Sequence, residues 1–342
     1  MMFKKKIKRI CIIGAGWYGC HIGYKLIKHG HDVTIFEKNK NIFQGSSGFN
    51  QFRLHTGFHY PRSDITIKET KNNYKRFIEE YKNYFFIPPK NIYCIAQKKS
   101  LIDFNTYLKI LKSHKLLYKK TKENSLKNIE GSINTREGVL LNKKIILFYK
   151  NELKRQLVLN KKIKSTNNLK EKYDYIIDCT NNTLNQNNNS KVKFILTISL
   201  IYQAKKNKKT FPITVMDGKL PSLYPYSDKK NFYTLTHSKY THIKKFSNFK
   251  NLKKYENLIN YKQINKIKTN MEKSFKNFYY DFSEDFKYKD YFLSYKVIPN
   301  EASDRRPLFI KKDDNVISLF SPKIANIFTA EDYIIKLINK KR

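Results

Sequence analysis

The sequence predicts an α/β fold in which a parallel sheet flanked by helices is joined to an antiparallel sheet. Three observations predict this fold. Apolar runs at residues 10–13 and 33–36 enclose an amphipathic stretch that ends at His29, the order of a strand, a helix and a strand in a parallel sheet. The apolar run 175–179 predicts a further buried parallel strand. Between residues 193 and 237, successive β-rich runs separated by turn residues favour an antiparallel sheet.

The turn after the first strand narrows the function most sharply. Gly14, Gly16 and Gly19 form the pattern GxGxxG, and the second strand ends in Glu37. In such a turn the first glycine permits the bend, the second lets the backbone approach a pyrophosphate, and the third lets the helix pack closely. The helix N-terminus then faces the phosphates. We therefore predict a dinucleotide-binding βαβ unit, because an inert glycine-rich turn would leave Glu37 without a role.

The length and charge of the chain set limits on its class. At 342 residues the chain can bury a sizeable core in two domains or one large one. Its formal net charge of +41 raises nucleic acid or an anionic membrane surface as partners. The lysines are scattered, however, and accompany abundant Asn, Ile, Tyr and Phe, a composition typical of A/T-rich coding. We therefore expect no specific nucleic-acid partner and only salt-sensitive polyanion binding.

The cysteines and the apolar runs predict a reduced, cytoplasmic setting. Cys11, Cys20, Cys94 and Cys179 form no CxxC pair, so neither a disulfide framework nor a structural metal is expected. The basic head and apolar run at the start imitate a signal peptide, but the run gives way at once to the glycine turn. No apolar run approaches the length of a membrane span, so no membrane partner is expected.

The remaining elements follow from local periodicity and turn residues. Helical spacing predicts helices over 62–86, 101–112, part of 141–160 and 247–283, and the first of these has predicted buried positions at Ile65, Ile67, Tyr74, Phe77, Ile78 and Tyr81. Strands are predicted at 92–97, 193–203, 211–216, 232–237 and 316–320. A last helix is predicted from Thr329, whose hydroxyl, with the acidic residues that follow, suits a helix start.

The segment 46–62, SSGFNQFRLHTGFHYPR, adds a second signature. It resembles the flavin loop of the FAD-dependent D-amino-acid oxidase and glycine oxidase superfamily, the DAO superfamily, and is similar to its L-2-hydroxyglutarate dehydrogenase branch. Weaker likenesses occur at 172–180, 214–226, 303–307 and 321–328, so the resemblance is scattered over most of the chain. It favours FAD over NAD, which the first βαβ unit alone hardly distinguishes.

The resemblance implies a discontinuous, Rossmann-like FAD-binding domain into which an α+β substrate domain, built on an antiparallel sheet, is inserted. We expect residues 1–60, 141–182 and 300–342 to form the FAD domain. Residues 61–140 and 183–299 then form the substrate domain.

The resemblance also implies which residues contact FAD. They are Gly14, Gly16, Trp17, Tyr18 and Gly19 at the phosphates, Glu37 at the ribose, Ser46, Ser47 and Asn50 beside the pyrophosphate and the flavin ring, Thr180 on the adenine side, and Lys323 near the anionic end of the flavin. Two positions depart from the family pattern. Asn181 follows Thr180 where a glycine is usual, and Pro322, which lacks a backbone donor, precedes Lys323. Either change would weaken FAD binding if the missing feature were needed.

The candidate catalytic residues are His55, His59, Arg305 and Arg306. His55, which by resemblance lies beside the flavin, would accept a proton from the substrate, although a purely structural histidine is an equal alternative. His59 lies four residues away, and without an acidic or cysteine neighbour the pair does not predict a metal site. Arg305 and Arg306 would clamp a carboxylate, unless Asp304 or the flavin occupies them. Arg53 is a third candidate clamp, and core packing is the default for Tyr224 and Tyr226.

The resulting functional prediction is an FAD-dependent oxidoreductase that oxidises a CH–OH or CH–NH bond of a small anionic substrate by hydride transfer to the flavin. Two alternatives remain open. One is a tailoring oxidoreductase for a sugar or nucleotide-linked substrate. The other is a non-catalytic polyanion-binding protein with a relic nucleotide fold.

Overall fold

A computed structural model describes residues 6–184, 192–300 and 308–339. The strands are β1 (Arg9–Ile13), β2 (Asp32–Phe36), β3 (Arg53–Leu54), β4 (Phe85–Phe86), β5 (Ile92–Ala96), β6 (Lys119–Thr121), β7 (Ile129–Asn134), β8 (Gly138–Leu140), β9 (Leu157–Val158), β10 (Tyr175–Asp178), β11 (Val192–Ala204), β12 (Ile213–Met216), β13 (Pro221–Pro225), β14 (Phe232–His237), β15 (His242–Phe246), β16 (Phe286–Pro299), β17 (Phe309–Asp313) and β18 (Val316–Phe320). The α-helices are α1 (Trp17–Lys28), α2 (Asp64–Tyr81), α3 (Phe104–Ser113), α4 (Asn142–Glu152), α5 (Phe249–Glu256), α6 (Tyr261–Lys276), α7 (Phe282–Asp285) and α8 (Ile327–Asn339).

A six-stranded sheet carries the glycine turn. Its order is β17-β18-β10-β1-β2-β9, and all its neighbours are parallel except the edge pair of β17 and β18. Ile12 pairs with Ile35 on one side and with Ile177 on the other, and each of the three is fully buried. Helices α1 and α8 pack against each other. This is the predicted parallel sheet, and it leaves the carboxyl ends of β1, β2, β10 and β18 at one edge.

A nine-stranded sheet forms the second layer of the molecule. Its order is β15-β11-β14-β13-β12-β5-β7-β6, with β16 on the other side of β11. Its neighbours are antiparallel apart from β5 and β12, which run parallel. Strand β16 pairs along the whole length of β11, from Val192 opposite Pro299 to Ala204 opposite Phe286. The α/β fold class with an antiparallel-dominated second sheet is confirmed, and the division of the chain into the two predicted domains stays a prediction.

Three details of the sequence prediction were wrong. The last helix begins at Ile327, after a 3-10 turn at Ile324–Asn326, so Thr329 lies inside it and does not cap it. Ile65, predicted to be buried, is 46% exposed because it lies two residues, or about 200° of helix rotation, from the fully buried Ile67 and so on the opposite face of α2. The same helix does bury Ile67, Phe77 and Tyr81, but it ends at Tyr81, and the predicted C-terminal part contains strand β4.

Within the three described stretches of the chain, no helix has both the length and the apolar content needed to cross a membrane.

Candidate active site

A cavity of about 1000 Å³ opens where the carboxyl ends of the parallel strands meet. In open α/β sheets this edge is where ligands bind, because several strands end in loops that point the same way. Of the predicted site residues that the structure describes, all but Gly19 line this cavity. They are Gly14, Gly16, Trp17, Tyr18, Glu37, Ser46, Ser47, Asn50, His55, His59, Thr180 and Lys323. The fold therefore gathers residues that lie more than 300 positions apart.

The glycine turn has little room for side chains. Gly14 adopts a φ of +99°, which side-chain-bearing residues rarely adopt. A Cβ atom on Gly16 would lie 2.8 Å from the Ser47 hydroxyl oxygen, and one on Gly19 would lie 1.8 Å from the Gly14 carbonyl oxygen. Gly19 thus sits between helix and strand, away from the cavity. The positive φ of Gly14 and the close packing of Gly19 agree with the turn and packing roles predicted for them, and the pyrophosphate role of Gly16 stays a prediction.

Glu37 is held in place at the end of β2. Its Oε2 accepts a hydrogen bond from the backbone N–H of Ala15 at 2.9 Å. Its Oε1 accepts bonds from the backbone and side-chain nitrogens of Asn39, at 3.0 and 2.7 Å. Because an ionised carboxylate has about four lone-pair sites, acceptor capacity remains for hydroxyl groups of a ligand.

The loop at 44–50 connects the nucleotide turn to the second sheet. Ser46 donates to the Tyr295 carbonyl on β16 at 2.7 Å, and Ser47 accepts from the backbone N–H of Trp17 at 3.0 Å. The side-chain amide of Asn50 donates to the Ser46 carbonyl at 2.9 Å. The Trp17 ring packs on the Phe43 ring, with centroids 5.3 Å apart, and is buried. The Trp17 ring is therefore packed within the protein, and its backbone N–H bonds to Ser47.

The two departures from the family pattern have different consequences. Asn181 has a φ of +57° and Asn182 a φ of +61°. Asparagine tolerates this left-handed region better than other side-chain-bearing residues, so the turn after β10 keeps a glycine-like backbone without glycine. Pro322 lines the cavity, and its ring nitrogen has no hydrogen to donate to a ligand there.

Lys323 places a buried positive charge beside the cavity. Its ammonium nitrogen donates to Thr70 Oγ1 at 3.3 Å and lies 4.0 Å from the centroid of the Tyr60 ring. The Lys323 carbonyl accepts a hydrogen bond from the Tyr18 hydroxyl at 2.6 Å. The Lys323 backbone is thus bonded to Tyr18 near the start of α1, and its side chain to Thr70 on α2.

His55 lines the cavity, and a buried glutamate lies next to it. His55 Nδ1 lies 3.5 Å from Glu137 Oε2, and the His55 side chain is 25% exposed while that of Glu137 is fully buried. Glu137 Oε1 accepts from the Thr56 backbone at 2.8 Å, and Oε2 accepts from the Tyr93 hydroxyl. Among the described residues, no partner bonds His55 Nε2. The ring therefore faces Glu137 at Nδ1, at ion-pair distance and without a hydrogen bond, and is open at Nε2.

Burial is the main reason that the His55 side chain is neutral. Burial lowers the pKa of His55; Glu137 opposes this shift, whereas the positive charges of Arg53 and Lys323 reinforce it. Burial raises the pKa of the Glu137 carboxyl, but His55 and Arg53 outweigh burial and leave the pKa below its ordinary value. At neutral pH the pair is therefore a neutral imidazole beside a carboxylate, the state that accepts a proton.

His59 also lines the cavity, next to His55. The two ring centroids are 5.2 Å apart. Burial lowers the pKa of His59 far below its ordinary value, and His55, Arg53, Lys296 and Lys323 lower it further. No cluster of three or more metal-ligating side chains exists in the part of the chain that the structure describes.

Arg53 is largely committed to the protein. Its Nη1 donates to the Tyr93 hydroxyl at 3.2 Å, its Nη2 donates to Ser222 at 2.6 Å, and its guanidinium carbon lies 3.9 Å from the centroid of the Tyr224 ring. Its Nε is sealed from solvent and has no hydrogen-bond partner among the described residues. Arg53 is therefore better placed to supply positive charge to the cavity than to bind a carboxylate through two parallel hydrogen bonds. Tyr224 is part of the core, as the default reading predicts.

The predicted clamps Arg305 and Arg306 lie outside the described residues.

The sequence analysis did not identify Glu137, Tyr60 or Lys296 as site residues. It also missed the ion pair between Arg62 and Asp217 at the cavity wall, in which Nε and Oδ2 are 2.5 Å apart. Glu137 had one signal in the sequence, an acidic residue in an acid-poor chain directly before the strand-forming run Gly138–Leu140.

Together, this fold and site define a dinucleotide-dependent oxidoreductase, and comparisons with known proteins specify the family. A model described as "DAO: FAD dependent oxidoreductase" matches residues 9–142. The chain is 30% identical over 338 residues to the FAD-dependent monooxygenase FPY4 of Fusarium mangiferae, covering 96% of this chain and 90% of that protein. It is 26% identical over 366 residues to the FAD-dependent monooxygenase kojA of Aspergillus flavus, covering 97% and 86%. The chain belongs to the DAO family of FAD-dependent oxidoreductases.

Solved structures show the same fold at low sequence identity. Glycine oxidase from Geobacillus kaustophilus superimposes with a TM-score of 0.69 at 12% identity, covering 98% of this chain and 96% of that one. L-alpha-glycerophosphate oxidase from Mycoplasma pneumoniae, solved with FAD bound, gives a TM-score of 0.69 at 13% identity with the same coverages. The predicted family and the predicted cofactor, FAD, are confirmed, and the protein is an enzyme.

The local geometry fits FAD. The tight Gly14–Gly19 turn lies at the N-terminus of α1, and the oriented carboxylate of Glu37 lies at the end of the next strand. These features suit a pyrophosphate and a ribose. The individual residue assignments stay predictions.

Proposed function

We propose that this enzyme oxidises a CH–OH or CH–NH bond of a small anionic substrate, with His55 as the proton acceptor. The observation that carries the proposal is the His55 and Glu137 pair, in which His55 lines the same cavity as the glycine turn. Gly14, Gly16 and the Ser46–Ser47 loop would hold the phosphates of FAD, and Glu37 its ribose. FAD, when bound, supplies an acceptor for the hydride that leaves the substrate carbon.

The chain itself supplies the proton chemistry. As the carbon loses hydride, the oxygen or nitrogen attached to it loses a proton to His55 Nε2, and a C=O or C=N bond forms. The Glu137 carboxylate stabilises the imidazolium that results and keeps Nδ1 pointed away from the substrate. A base positioned in this way typically contributes about 10² to 10⁴ in rate.

The charge of the cavity supports an anionic substrate. Arg53, Lys296 and Lys323 line it, and each depresses the pKa of His59. Positive charge on low-dielectric walls raises the local concentration of anions. Arg305 and Arg306 remain the proposed carboxylate clamps, and the cytoplasmic setting also remains a proposal, supported by the four unpaired cysteines.

Anaerobic bleaching of the flavin tests this proposal. The FAD-loaded enzyme would be mixed with panels of 2-hydroxy acids, amino acids and amino sugars, and the loss of oxidised-flavin absorbance would be followed. Bleaching by anionic members, but not by their esters, is expected. Bleaching by neutral compounds alone would refute an anionic substrate, and failure of every CH–OH and CH–NH donor would refute the reaction.

Oxygen insertion is a second candidate function, because the fungal relatives are named monooxygenases. Turnover under ¹⁸O₂ separates the two reactions. An isotopically labelled product would establish oxygen insertion, whereas label found only in peroxide or water would support simple oxidation.

A further inference from the structure

The floor of the cavity is a sheet face on which hydroxyl side chains follow one another across several strands. On β11, Thr197 and Ser199 alternate with Ile198 and Leu200, and only the hydroxyl residues line the cavity. The isoleucine and leucine belong to the apolar core under α6. Because side chains alternate between the faces of a strand, this pattern separates a polar face from a packed one.

Strand register extends this polar face sideways. Leu200 pairs with Leu235, which places Ser199 next to Thr236 on β14. Thr236 pairs with Ser222 on β13, and Ser222 pairs with Thr214 on β12. On the other side of β11, Thr197 pairs with Ser294 of β16. We call these six residues the hydroxyl row: Ser294, Thr197, Ser199, Thr236, Ser222 and Thr214.

The two ends of the hydroxyl row differ in how their hydroxyl groups are used. Ser222 accepts from Arg53 at 2.6 Å and lies 3.3 Å from the Thr214 hydroxyl. By contrast, the hydroxyls of Thr197, Ser199 and Ser294 form no hydrogen bond with any described residue. Ser199 is only 6% exposed, and it lines the cavity. Because these three hydroxyls face the cavity and have no hydrogen-bond partner among the described residues, their donors and acceptors are available to a ligand there.

We propose that the unpartnered end of the hydroxyl row is a substrate subsite for an anionic polyol, that is, a hydroxylated carbon chain that ends in a carboxylate or a phosphate. Lys296 follows Ser294 by two residues on β16 and also lines the cavity, so positive charge adjoins the hydroxyls. The hydroxyls of Thr197, Ser199 and Ser294 each offer one donor and two acceptor positions, which match the groups of a polyol. This inference rests on the proposed function and specifies its substrate class.

A matched set of probes tests the subsite on the FAD-loaded enzyme by isothermal titration calorimetry under anaerobic conditions. Gluconate and sorbitol 6-phosphate carry hydroxyls, whereas hexanoate and hexyl phosphate carry the same head groups without them. The hydroxylated member of each pair should bind more tightly. The head-group comparison distinguishes a carboxylate from a phosphate terminus.

Substitutions then assign the effect to the hydroxyl row. Ser199→Ala and Thr197→Val should each weaken binding of the hydroxylated probes by roughly 2- to 12-fold, the usual worth of one hydrogen bond. They should leave the hydroxyl-free probes within about twofold. Ser132→Ala is the matched control, since Ser132 lies in the same sheet on β7 and bonds to the Thr121 carbonyl. It should change neither affinity.

Three outcomes would overturn the subsite: equal or tighter binding of the hydroxyl-free probes, a preference that survives both substitutions, or no binding by either hydroxylated probe. The flavin-bleaching test is separate. Hydroxyl-dependent binding without flavin reduction by any CH–OH or CH–NH donor would refute the proposed reaction but leave the polyol subsite in place.

Discussion

Two regions of this enzyme each bring a histidine, a glutamate and tyrosine together, and they differ in whether both ring nitrogens of the histidine have a partner. His21 is fully buried, with Nδ1 2.5 Å from the Tyr81 hydroxyl and Nε2 2.9 Å from Glu331. His55 keeps a quarter of its side chain open and has Glu137 on one side only. The first ring has a partner at both nitrogens, and the second has spare capacity that faces a cavity. A saturated histidine stabilises the fold, whereas an unsaturated one is available for chemistry.

The surroundings of the two clusters reinforce the difference. Glu331 also lies 3.5 Å from the Lys25 ammonium and 3.3 Å from the Arg76 guanidinium, so it joins α1, α2 and α8. The Tyr81 hydroxyl is 2.5 Å from that of Tyr149 on α4. The His55 cluster is connected instead to short strands and loops around the cavity. The first cluster connects helices, and the second adjoins the cavity.

Replacing His55 gives the largest expected effect. His55→Gln removes the proposed proton acceptor, so the rate of flavin reduction by substrate should fall by about 10²- to 10⁴-fold. Stopped-flow absorbance under anaerobic conditions measures this rate. FAD content and the urea midpoint should stay near wild type, and a variant that reduces flavin at the wild-type rate would make His55 a structural residue like His21.

Replacing His21 should affect stability instead of chemistry. His21→Leu leaves the Tyr81 hydroxyl and the Glu331 carboxylate without their shared partner, which should cost about 2 to 3 kcal/mol of unfolding free energy. Urea denaturation of the FAD-loaded protein, followed by circular dichroism, measures this loss. A change in the flavin-reduction rate of the folded variant would contradict the separation of the two clusters.

Glu137→Gln should shift a pH profile. The carboxylate of Glu137 raises the pKa of His55 against the effect of burial, so its neutralisation should lower that pKa. The acid limb of kcat/KM, which rises as His55 loses its proton, should move to lower pH by about one unit. An unchanged limb, with only the plateau reduced, would assign Glu137 to packing.

The smallest expected effect is the pH dependence that Glu331 gives to stability. Burial raises the pKa of Glu331, but His21, Lys25 and Arg76 outweigh burial and leave the pKa below its ordinary value of 4.5. The stabilisation is therefore complete above pH 4.5 and is lost as the pH falls through the lowered pKa. The difference in urea midpoint between wild type and Glu331→Gln should therefore shrink as the pH falls below 4.5 and through the lowered pKa of Glu331. A difference that stays constant with pH would show that the charge of Glu331 contributes nothing.

Local sequence patterns predicted individual strands and helices better than they predicted which strands pair with each other. Strand Val316–Phe320 and the buried strand that begins at Tyr175 were predicted from apolar runs alone, because buried parallel strands need continuous apolar residues. Strand β16 escaped prediction, since FKYKDYFLSYKVIP alternates charged and aromatic residues without a turn signal. Its length is explained by its partner, β11, to which it pairs along its whole length.

Within the site, too, features set by local spacing were predicted and features set by contacts between distant segments were not. The glycine turn and Glu37 were predicted because a fixed spacing along the chain carries their geometry. Glu137 lies 82 residues from His55, and their proximity depends on the antiparallel pairing of β3 with β8. Thr329 and Glu331 look like a helix start in sequence, yet Glu331 turns inward to His21, because tertiary packing decided where α8 begins.

By itself, the sequence determined the nucleotide-binding unit, because that unit depends on residues close together whose spacing sets their relative positions, and its resemblance to the DAO superfamily indicated the family and FAD. Only the tertiary structure decided which histidine is saturated and which is open, and which strand face presents the hydroxyl row. Those properties depend on contacts between segments far apart in the chain, whose register and burial no local pattern records.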